Sequence, residues 1–360
     1  MRILANVWPL VVHGALALFL ACGGGGSGNN SSTGGAPGTP PPAKTIFAAG
    51  VGTNSPGSIP GYWQNGTWIG LALPSGFNAG GVNNLVLSGS DIYVAGAIYQ
   101  DSLPLQPYQN PGYWKNGTWV GLAMPPGKSE DWVYALAMSG GEVYAVDGSN
   151  AGYWLNGTWI GLPLIPGYVA GQVTSIAVNG NDVYAGGSIG IVPGYWLDGT
   201  WIELPANPFG GQVSSILVSG TNIYAGGYNC SNSGVQIPGY WLNGNWVGFS
   251  LPSGSTGGIV NSMVVSGIYV YATGINVFSS GANIPGYWLY GVWDNLQLPL
   301  SATGGAVNAL TVTGNDVYAG GYIENASNFK VPGYWLNGTW VVLPLPPGST
   351  GGSVQSIAIQ

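Results

Sequence analysis

Residues 60–68 read PGYWQNGTW, and variants of this stretch return six more times along the chain. The first tryptophan of the pattern stands at positions 63, 114, 154, 196, 241, 288 and 335, so successive units are 40 to 51 residues apart. Repeats of this length are typical of propeller blades built from four short strands. The sequence therefore predicts an all-β fold, a seven-bladed β-propeller with four-stranded blades.

Each unit divides into four candidate strands. In one unit, the alternating segment 173–178 is followed by a glycine-containing turn and by a second alternating segment at 182–187. The Gly-Tyr-Trp segment is the third strand, and the segment that begins at the second tryptophan is the fourth. Alternation of apolar and polar residues over such short runs is the pattern of half-buried strands.

An Asn-Gly pair separates the third and fourth strands of most units. Both residues tolerate the positive φ of a type I′ turn, which makes this pair a strong hairpin signal. With Asn65 and Gly66 in the turn, Trp63 is expected directly across from Trp68, and we interpret such pairs as structural core between blades. The predicted pairs are Trp63 with Trp68, Trp114 with Trp119, Trp154 with Trp159, Trp196 with Trp201, Trp241 with Trp246, Trp288 with Trp293 and Trp335 with Trp340.

The two ends of the repeat region complement each other. Residues 354–359 have the pattern of a first strand with no second strand after it, and residues 45–50 have the pattern of a second strand with no first strand before it. Together they complete one blade, with one C-terminal and three N-terminal strands. Closure of this kind removes the exposed edges of an open sheet array. We therefore expect residues 45–360 to form one closed propeller.

The unit resembles the kelch repeat. The resemblance is carried by Gly-Gly at the end of the second strand (186–187, 226–227, 320–321), and by a tyrosine and a tryptophan six residues apart (195 and 201, 240 and 246, 334 and 340). It implies a propeller fold. A kelch-type partner does not follow, because one fold serves many functions.

The N-terminal region has the layout of an exported protein. Residues 1–21 contain Arg2 and a long apolar stretch, which predicts a secretory signal peptide. The segment 19–22 resembles the lipobox of bacterial lipoproteins, which implies lipidation of Cys22; a simply cleaved signal and an uncleaved anchor helix remain open. Residues 22–44 form a linker rich in Gly, Ser and Pro. We expect a cell-envelope protein anchored by this lipid at the outer membrane or cell surface.

The low content of positively charged residues limits which partners the chain can bind. Without residues 1–21 the chain has neither His nor Arg, and its four lysines face twelve acids, a net charge of −8. Nucleic acid is excluded as a partner, because binding phosphates requires clustered positive charge. We expect no metal and no cofactor, and a monomer. The acids that recur beside the first turn of several units, such as Asp91 and Asp316, are interpreted as turn-capping groups.

The loops between strands two and three, and between successive blades, are predicted to share one face of the disc. We call this the loop face. It holds most of the variation between units, and loops carry function on rigid scaffolds. Trp132 occupies a position held elsewhere by Gly81, Gln172, Gln212, Ile259, Ala306 or Ser353, either as a ligand contact or as an aromatic that fills a gap between blades. The candidate ligand-binding residues are Tyr99, Asp101, Tyr108, Lys128, Glu130, Asp131 and Trp132.

Known propeller enzymes use residues that the chain lacks once residues 1–21 are removed. Sialidases bind their substrate with arginines, galactose oxidase holds copper with histidines, and hydrolase triads need histidine. A glycosidase with two carboxylates, drawn from Asp101, Glu130 and Asp131, is the remaining enzymatic alternative. The sequence favours a non-enzymatic protein that binds a protein or another macromolecule through the loop face. A glycan-binding propeller is the main alternative, because the chain is aromatic and nearly uncharged.

Overall fold

The computed structural model describes residues 44–54, 57–100, 109–278 and 283–360. These residues form seven antiparallel sheets of four strands each, which confirms the predicted seven-bladed propeller. The signal peptide, nearly all of the linker and Cys22 lie outside the described residues, as do Asp101 and Tyr108. Within the described part of the chain, no helix is both long and apolar enough to cross a membrane.

The four strands of each blade follow one another from the central axis to the outer edge. Blade 1 contains β28 (Gly351–Ile359), β1 (Ile46–Thr53), β2 (Ser58–Gln64) and β3 (Thr67–Gly70), and blade 2 contains β4 (Ala79–Ser88), β5 (Asp91–Tyr99), β6 (Asn110–Lys115) and β7 (Thr118–Gly121). Blade 3 contains β8 (Ala135–Ser139), β9 (Glu142–Val146), β10 (Gly152–Leu155) and β11 (Thr158–Gly161). Blade 4 contains β12 (Gly171–Asn179), β13 (Asp182–Ile189), β14 (Val192–Leu197) and β15 (Thr200–Glu203).

The remaining blades have the same arrangement. Blade 5 contains β16 (Gly211–Ser219), β17 (Asn222–Cys230), β18 (Gln236–Leu242) and β19 (Asn245–Gly248). Blade 6 contains β20 (Ser255–Ser266), β21 (Tyr269–Phe278), β22 (Gly286–Leu289) and β23 (Val292–Asn295). Blade 7 contains β24 (Ala302–Thr313), β25 (Asp316–Asn325), β26 (Lys330–Leu336) and β27 (Thr339–Val342). The first strands of neighbouring blades contact one another, so they surround the central axis.

The closing blade joins the two ends of the repeat region as predicted. Ile46 pairs with Ile359, and Gly50 pairs with Val354. Beyond the strand, Thr45 and Gln360 exchange two backbone hydrogen bonds of 2.7 and 2.9 Å. The pairing gives β1 a partner on both sides, and β28 becomes the innermost strand of blade 1.

The hairpin between strands three and four has the predicted geometry. Asn65 and Gly66 have φ values of 48° and 82°, and Trp63 lies opposite Trp68. The side chain of Asn65 also accepts a hydrogen bond of 2.9 Å from the Ile46 amide, which ties this turn to the second strand of its blade. The turns after strands one and three therefore lie together on one face of the disc, and the variable loops lie on the other.

The acids beside the first turn have partners in a second turn. Asp91 and Asp316 accept hydrogen bonds from the side-chain amides of Asn116 and Asn337, in the turn that follows strand three. They therefore join two turns of a blade, because the Asn in the neighbouring turn presents a donor within reach.

The first tryptophan of each pair fastens its blade to the preceding one. All seven of these side chains are 0% exposed, and each indole N–H donates to a backbone carbonyl of the preceding blade, at 2.8 to 3.1 Å. This hydrogen bond satisfies the one polar atom of a large buried side chain. The tryptophan pairs thus form the core between blades.

Candidate functional site

The sequence-predicted patch is built on blades 2 and 3. The segment 127–134 connects them, and the described candidates in or beside it are Tyr99, Lys128, Glu130, Asp131 and Trp132. Backbone hydrogen bonds hold this segment against blade 2, from the Asp131 amide to Gln109 and from the Val133 amide to Gly96. The segment therefore occupies a fixed position on the loop face.

Trp132 fills a gap between the two blades. Its indole N–H donates to the side chain of Gln109, and its ring lies 6.1 Å from the ring of Tyr99, measured between centroids. The ring also lies directly on Gly81, where a Cβ atom would stand 2.2 Å from it. Only a glycine accommodates this close approach. Of the two interpretations of Trp132, these contacts favour the packing role.

Asp131 has a partner that sequence reasoning did not find. It is 7% exposed, and it shares a hydrogen bond with the fully buried Asp147. Burial and the charge of Asp147 raise the pKa of Asp131 to about 8, against a smaller opposing effect of Lys128. Asp147 in turn accepts hydrogen bonds from the amides of Ser149 and Asn150. Asp131 is therefore committed to contacts inside blade 3.

The other two charged candidates lie at the surface of this segment. Glu130 is exposed, and the Lys128 ammonium group lies 3.3 Å from the hydroxyl of Ser149. Of the three acids weighed as glycosidase groups, the structure therefore describes one exposed and one buried carboxylate. Among the described residues, no three side chains of His, Cys, Asp or Glu gather in a group suited to a metal ion.

A cavity opens at a different seam, between blades 6 and 7. Its volume is about 410 Å³, within the range of small-molecule sites. Apolar groups from both blades, including Ile275, Pro285 and Val307, form part of its wall. The polar side chains in its lining are Asn276, Asn283, Asn308, Tyr322, Lys330 and Gln355. Since Asn283 and Pro285 belong to the loop between strands two and three, the cavity lies on the loop face.

Asn276 is the most unusual residue of this cavity. Its amide nitrogen and oxygen are both buried, and neither has a hydrogen-bond partner in the described part of the chain. A buried polar group without a partner costs about 1–3 kcal/mol. The corresponding strand position holds buried isoleucines in other blades, namely Ile98, Ile189 and Ile323.

Blade 5 also has an asparagine at this position, and it provides a useful contrast. The side-chain oxygen of Asn229 accepts a hydrogen bond of 3.2 Å from the Asn207 amide. Asn229 therefore serves the fold, whereas the amide oxygen of Asn276 lies against Gly258, where a Cβ atom would stand 2.7 Å from it, on the side that faces Pro238 of blade 5.

Ala306 lines the cavity, and in the repeat it corresponds to Trp132. At the seam between blades 2 and 3 the indole of Trp132 lies on Gly81, whereas at the seam between blades 6 and 7 this position holds only a methyl group.

Lys330 gives the described cavity wall its only positive charge, and no carboxylate of the described residues lines it. The ammonium group of Lys330 lies 4.1 Å from the ring centroid of Tyr322. Lys44 and Lys115 are engaged in ion pairs of 2.7 and 3.1 Å with Asp316 and Asp91. Lys330 contacts the Tyr322 ring and forms no ion pair among the described residues.

The chain has no match among protein-family models or curated proteins. Among solved structures it is similar to the computationally designed Ika8 protein, with 15% identity, 78% of this chain and 91% of that chain covered, and a TM-score of 0.43. It is also similar to a structure described as the extracellular domain of the "putative one component system BT4673 from B. thetaiotaomicron", with 14% identity, 79% of this chain and 36% of that chain covered, and a TM-score of 0.47. A third, YCF48 bound to D1 peptide, has 14% identity, 72% and 77% coverage, and a TM-score of 0.41. The class that the structure defines is a closed seven-bladed β-propeller.

Proposed function

We propose that this protein is a non-enzymatic binding protein of the cell envelope, and that its loop face binds a protein partner. The observation that carries the proposal is a row of exposed apolar side chains across blades 4 and 5. Tyr168, Ile191 and Phe209 are 39%, 58% and 56% exposed. Exposed apolar side chains that lie side by side mark interaction surfaces, whereas isolated ones do not.

The three residues lie on three different loops that are adjacent in space. The ring of Tyr168 lies over Gly190, which precedes Ile191. Gly210, which follows Phe209, lies against the backbone oxygen of Ile191. Val169, beside Tyr168, is 98% exposed. The ring of blades holds these loops in place, which lowers the entropic cost of binding.

Attachment to the envelope is the second part of the proposal. It is supported by the signal-like residues 1–21, by the lipobox resemblance around Cys22 and by the linker that follows. A tethered propeller presents its loop face to partners near the membrane surface. Replacing Cys22 by Ser is expected to release the protein from the membrane fraction, and mass spectrometry of the N-terminal peptide tests the lipid directly. Membrane retention of the variant would contradict lipid anchoring.

The test of protein binding uses a photoreactive amino acid at position 169 of the full-length protein in cells. We expect cross-links to one partner protein, and we expect the combined variant Tyr168→Ser, Ile191→Ser, Phe209→Ser to lose them. The matched control replaces three exposed valines of outer strands, Val247, Val292 and Val342, by Ser. Cross-links that persist in the first variant, or that form equally from position 292, would overturn the proposal.

In the glycan-binding alternative, the first tryptophan of each pair cannot be a sugar platform while the ring is closed. Each of these rings is fully buried between blades, and stacking on a sugar needs an accessible aromatic face.

A further inference from the structure

We propose that the proline-rich residues 37–42 of this chain dock on an aromatic patch of blade 6, on the face of the disc opposite the loop face. We call that face, which holds the turns after strands one and three, the turn face. The patch consists of Ile268, Tyr269 and Tyr290. The docking requires neither a lipid on Cys22 nor a protein partner, so it stands apart from the proposed function.

The patch is an exposed apolar surface built from two turns of one blade. Ile268 and Tyr269 belong to the turn after strand one, and Tyr290 belongs to the turn after strand three. They are 80%, 42% and 56% exposed, and the centroids of the two tyrosine rings lie 5.0 Å apart. Exposed apolar side chains that lie together mark a surface that binds another segment or molecule.

The same positions are polar in blade 7, where they hold Asn315, Asp316 and Asn337. There the amide of Asn337 donates a hydrogen bond of 3.0 Å to Asp316, and the two turns are joined without any aromatic ring. In blade 6, Tyr290 instead has a φ of 52°, which is strained for a bulky side chain. Strained residues cluster at functional sites. The aromatic residues of blade 6 therefore point to an occupant of the patch.

The linker enters the propeller on the same face. The Lys44 ammonium group lies 2.7 Å from the carboxylate of Asp316 and 3.2 Å from the carbonyl oxygen of Thr313, both beside the first turn of blade 7. On the other side of blade 1, the side chain of Gln360 donates to the carbonyl oxygen of Gly89 in blade 2. The linker thus approaches from the side of blade 7, and blade 6 is the next blade around the ring.

Residues 37–42 have the length to reach the patch from Lys44. Lys44 directly precedes the second strand of blade 1, and the patch lies two blades away, on blade 6. Packed sheets are about 10 Å apart, so two blades correspond to about 20 Å. A polyproline II segment extends about 3.1 Å per residue, so residues 37–42 lie between about 6 and about 22 Å from Lys44 along the chain.

The chemistry of the segment matches the chemistry of the patch. Residues 37–42 read PGTPPP and carry no charge. Proline-rich segments favour the polyproline II conformation, in which the backbone carbonyl groups have no internal partner. Such segments bind to surfaces lined by aromatic residues, because little conformational entropy is lost on docking. The hydroxyl groups of Tyr269 and Tyr290 can donate hydrogen bonds to these carbonyl groups.

The docking also gives the propeller an orientation, a consequence that rests on the proposed anchor at Cys22. A linker held along the turn face directs that face toward the membrane. The loop face, with its apolar row on blades 4 and 5, then points away from the membrane toward its partner.

A photoreactive amino acid in place of Thr39 in the full-length protein tests the docking and leaves all four prolines of the segment intact. We expect cross-links within one molecule, to peptides that contain residue 269 or 290, identified by mass spectrometry. The same amino acid in place of Ser27, farther along the linker, should not form them. Cys22→Ser should leave the cross-links from position 39 unchanged, so the docking and the anchor can fail separately.

The combined variant Ile268→Asn, Tyr269→Asp, Tyr290→Asn gives blade 6 the turn residues of blade 7, and it should fold and lose the cross-links. The matched control removes three exposed apolar side chains from the loop face and should keep them; it is the combined variant Tyr168→Ser, Ile191→Ser, Phe209→Ser. Absence of cross-links to blade 6 in the original protein, or their persistence in the blade 6 variant, would overturn the proposal. Cross-links formed only to a second molecule would assign the patch to another occupant.

Discussion

The indole nitrogen of Trp63 donates a hydrogen bond of 2.8 Å to the carbonyl oxygen of Pro344, a residue 281 positions later in the chain. This bond crosses the seam between blade 1 and blade 7. The same contact recurs at all seven seams, so one side chain of each repeat joins neighbouring blades and also fills the core between them.

Replacing Trp63 by Phe should lower the free energy of unfolding by about 2 kcal/mol, because the change leaves a cavity and an unpaired buried carbonyl. Trp68→Phe, which alters the half-buried member of the same pair, should cost less than about 1 kcal/mol. Denaturant unfolding followed by tryptophan fluorescence measures both. Equal losses would show that the seam bond contributes little.

A circular permutant, in which a short linker joins Gln360 to Thr45 and the chain begins at residue 76 and ends at residue 75, should fold. The expectation rests on the two backbone hydrogen bonds between Thr45 and Gln360, and on the surface position of residues 75 and 76. Circular dichroism and size exclusion check the result. The control omits residues 351–360 and should aggregate, because β1 then becomes an exposed edge. A soluble, folded control would contradict the role given to β28.

The stability of the protein should fall as pH rises from about 4 to about 8. Burial and Asp147 raise the pKa of Asp131 to about 8 in the folded protein, so the folded state binds this proton more tightly than the unfolded chain. The stability that the proton on Asp131 contributes is fully present below the pKa of this carboxyl in the unfolded chain. It is lost as the pH rises through the pKa of the same carboxyl in the folded protein.

Asp131→Asn should therefore remove this pH dependence and stabilise the protein at about pH 9, by on the order of 2 kcal/mol. Thermal unfolding at several pH values measures the effect. Glu130→Gln, on the same segment but exposed, is the control and should leave the profile unchanged. A profile unaltered by Asp131→Asn would contradict the assignment of the buried proton to this pair.

Tyr290→Asn should raise the free energy of unfolding by about 1 kcal/mol. Tyr290 has a φ of 52° in a turn where five other blades have Asn and one has Asp, and bulky residues are strained in this region. Asn at this position would also accept a hydrogen bond from the Val270 amide, as Asn65 does from Ile46. Tyr290→Phe retains the strain and should have no effect. Destabilisation by Asn would show that the ring contact with Tyr269, at 5.0 Å, outweighs the strain.

Trp132→Ala should lower the free energy of unfolding by about 2 kcal/mol, less than for a fully buried tryptophan, since it opens the gap over Gly81. Denaturant unfolding measures the loss. A variant as stable as the original protein would contradict the packing role of Trp132.

The repeat pattern determined much of the architecture. The number of blades, the hairpin at Asn65 and Gly66, and the pairing of residues 354–359 with residues 45–50 all followed from the sequence. Each depends on a few consecutive residues, since the alternation of apolar and polar side chains determines the strands, and residues that tolerate a positive φ determine the turn. The buried tryptophan pairs also followed, because the turn fixes which residues face each other.

The tertiary structure alone decided where the open space lies. Trp132 was conspicuous in the sequence, but its ring packs on Gly81 and closes a seam, while the cavity lies between blades 6 and 7. The partnership of Asp131 with Asp147, and the unpaired amide of Asn276, likewise arise between segments that are distant in the chain. The physical reason is that a cavity is a property of several side chains packed together, whereas strands and turns are properties of a few consecutive residues.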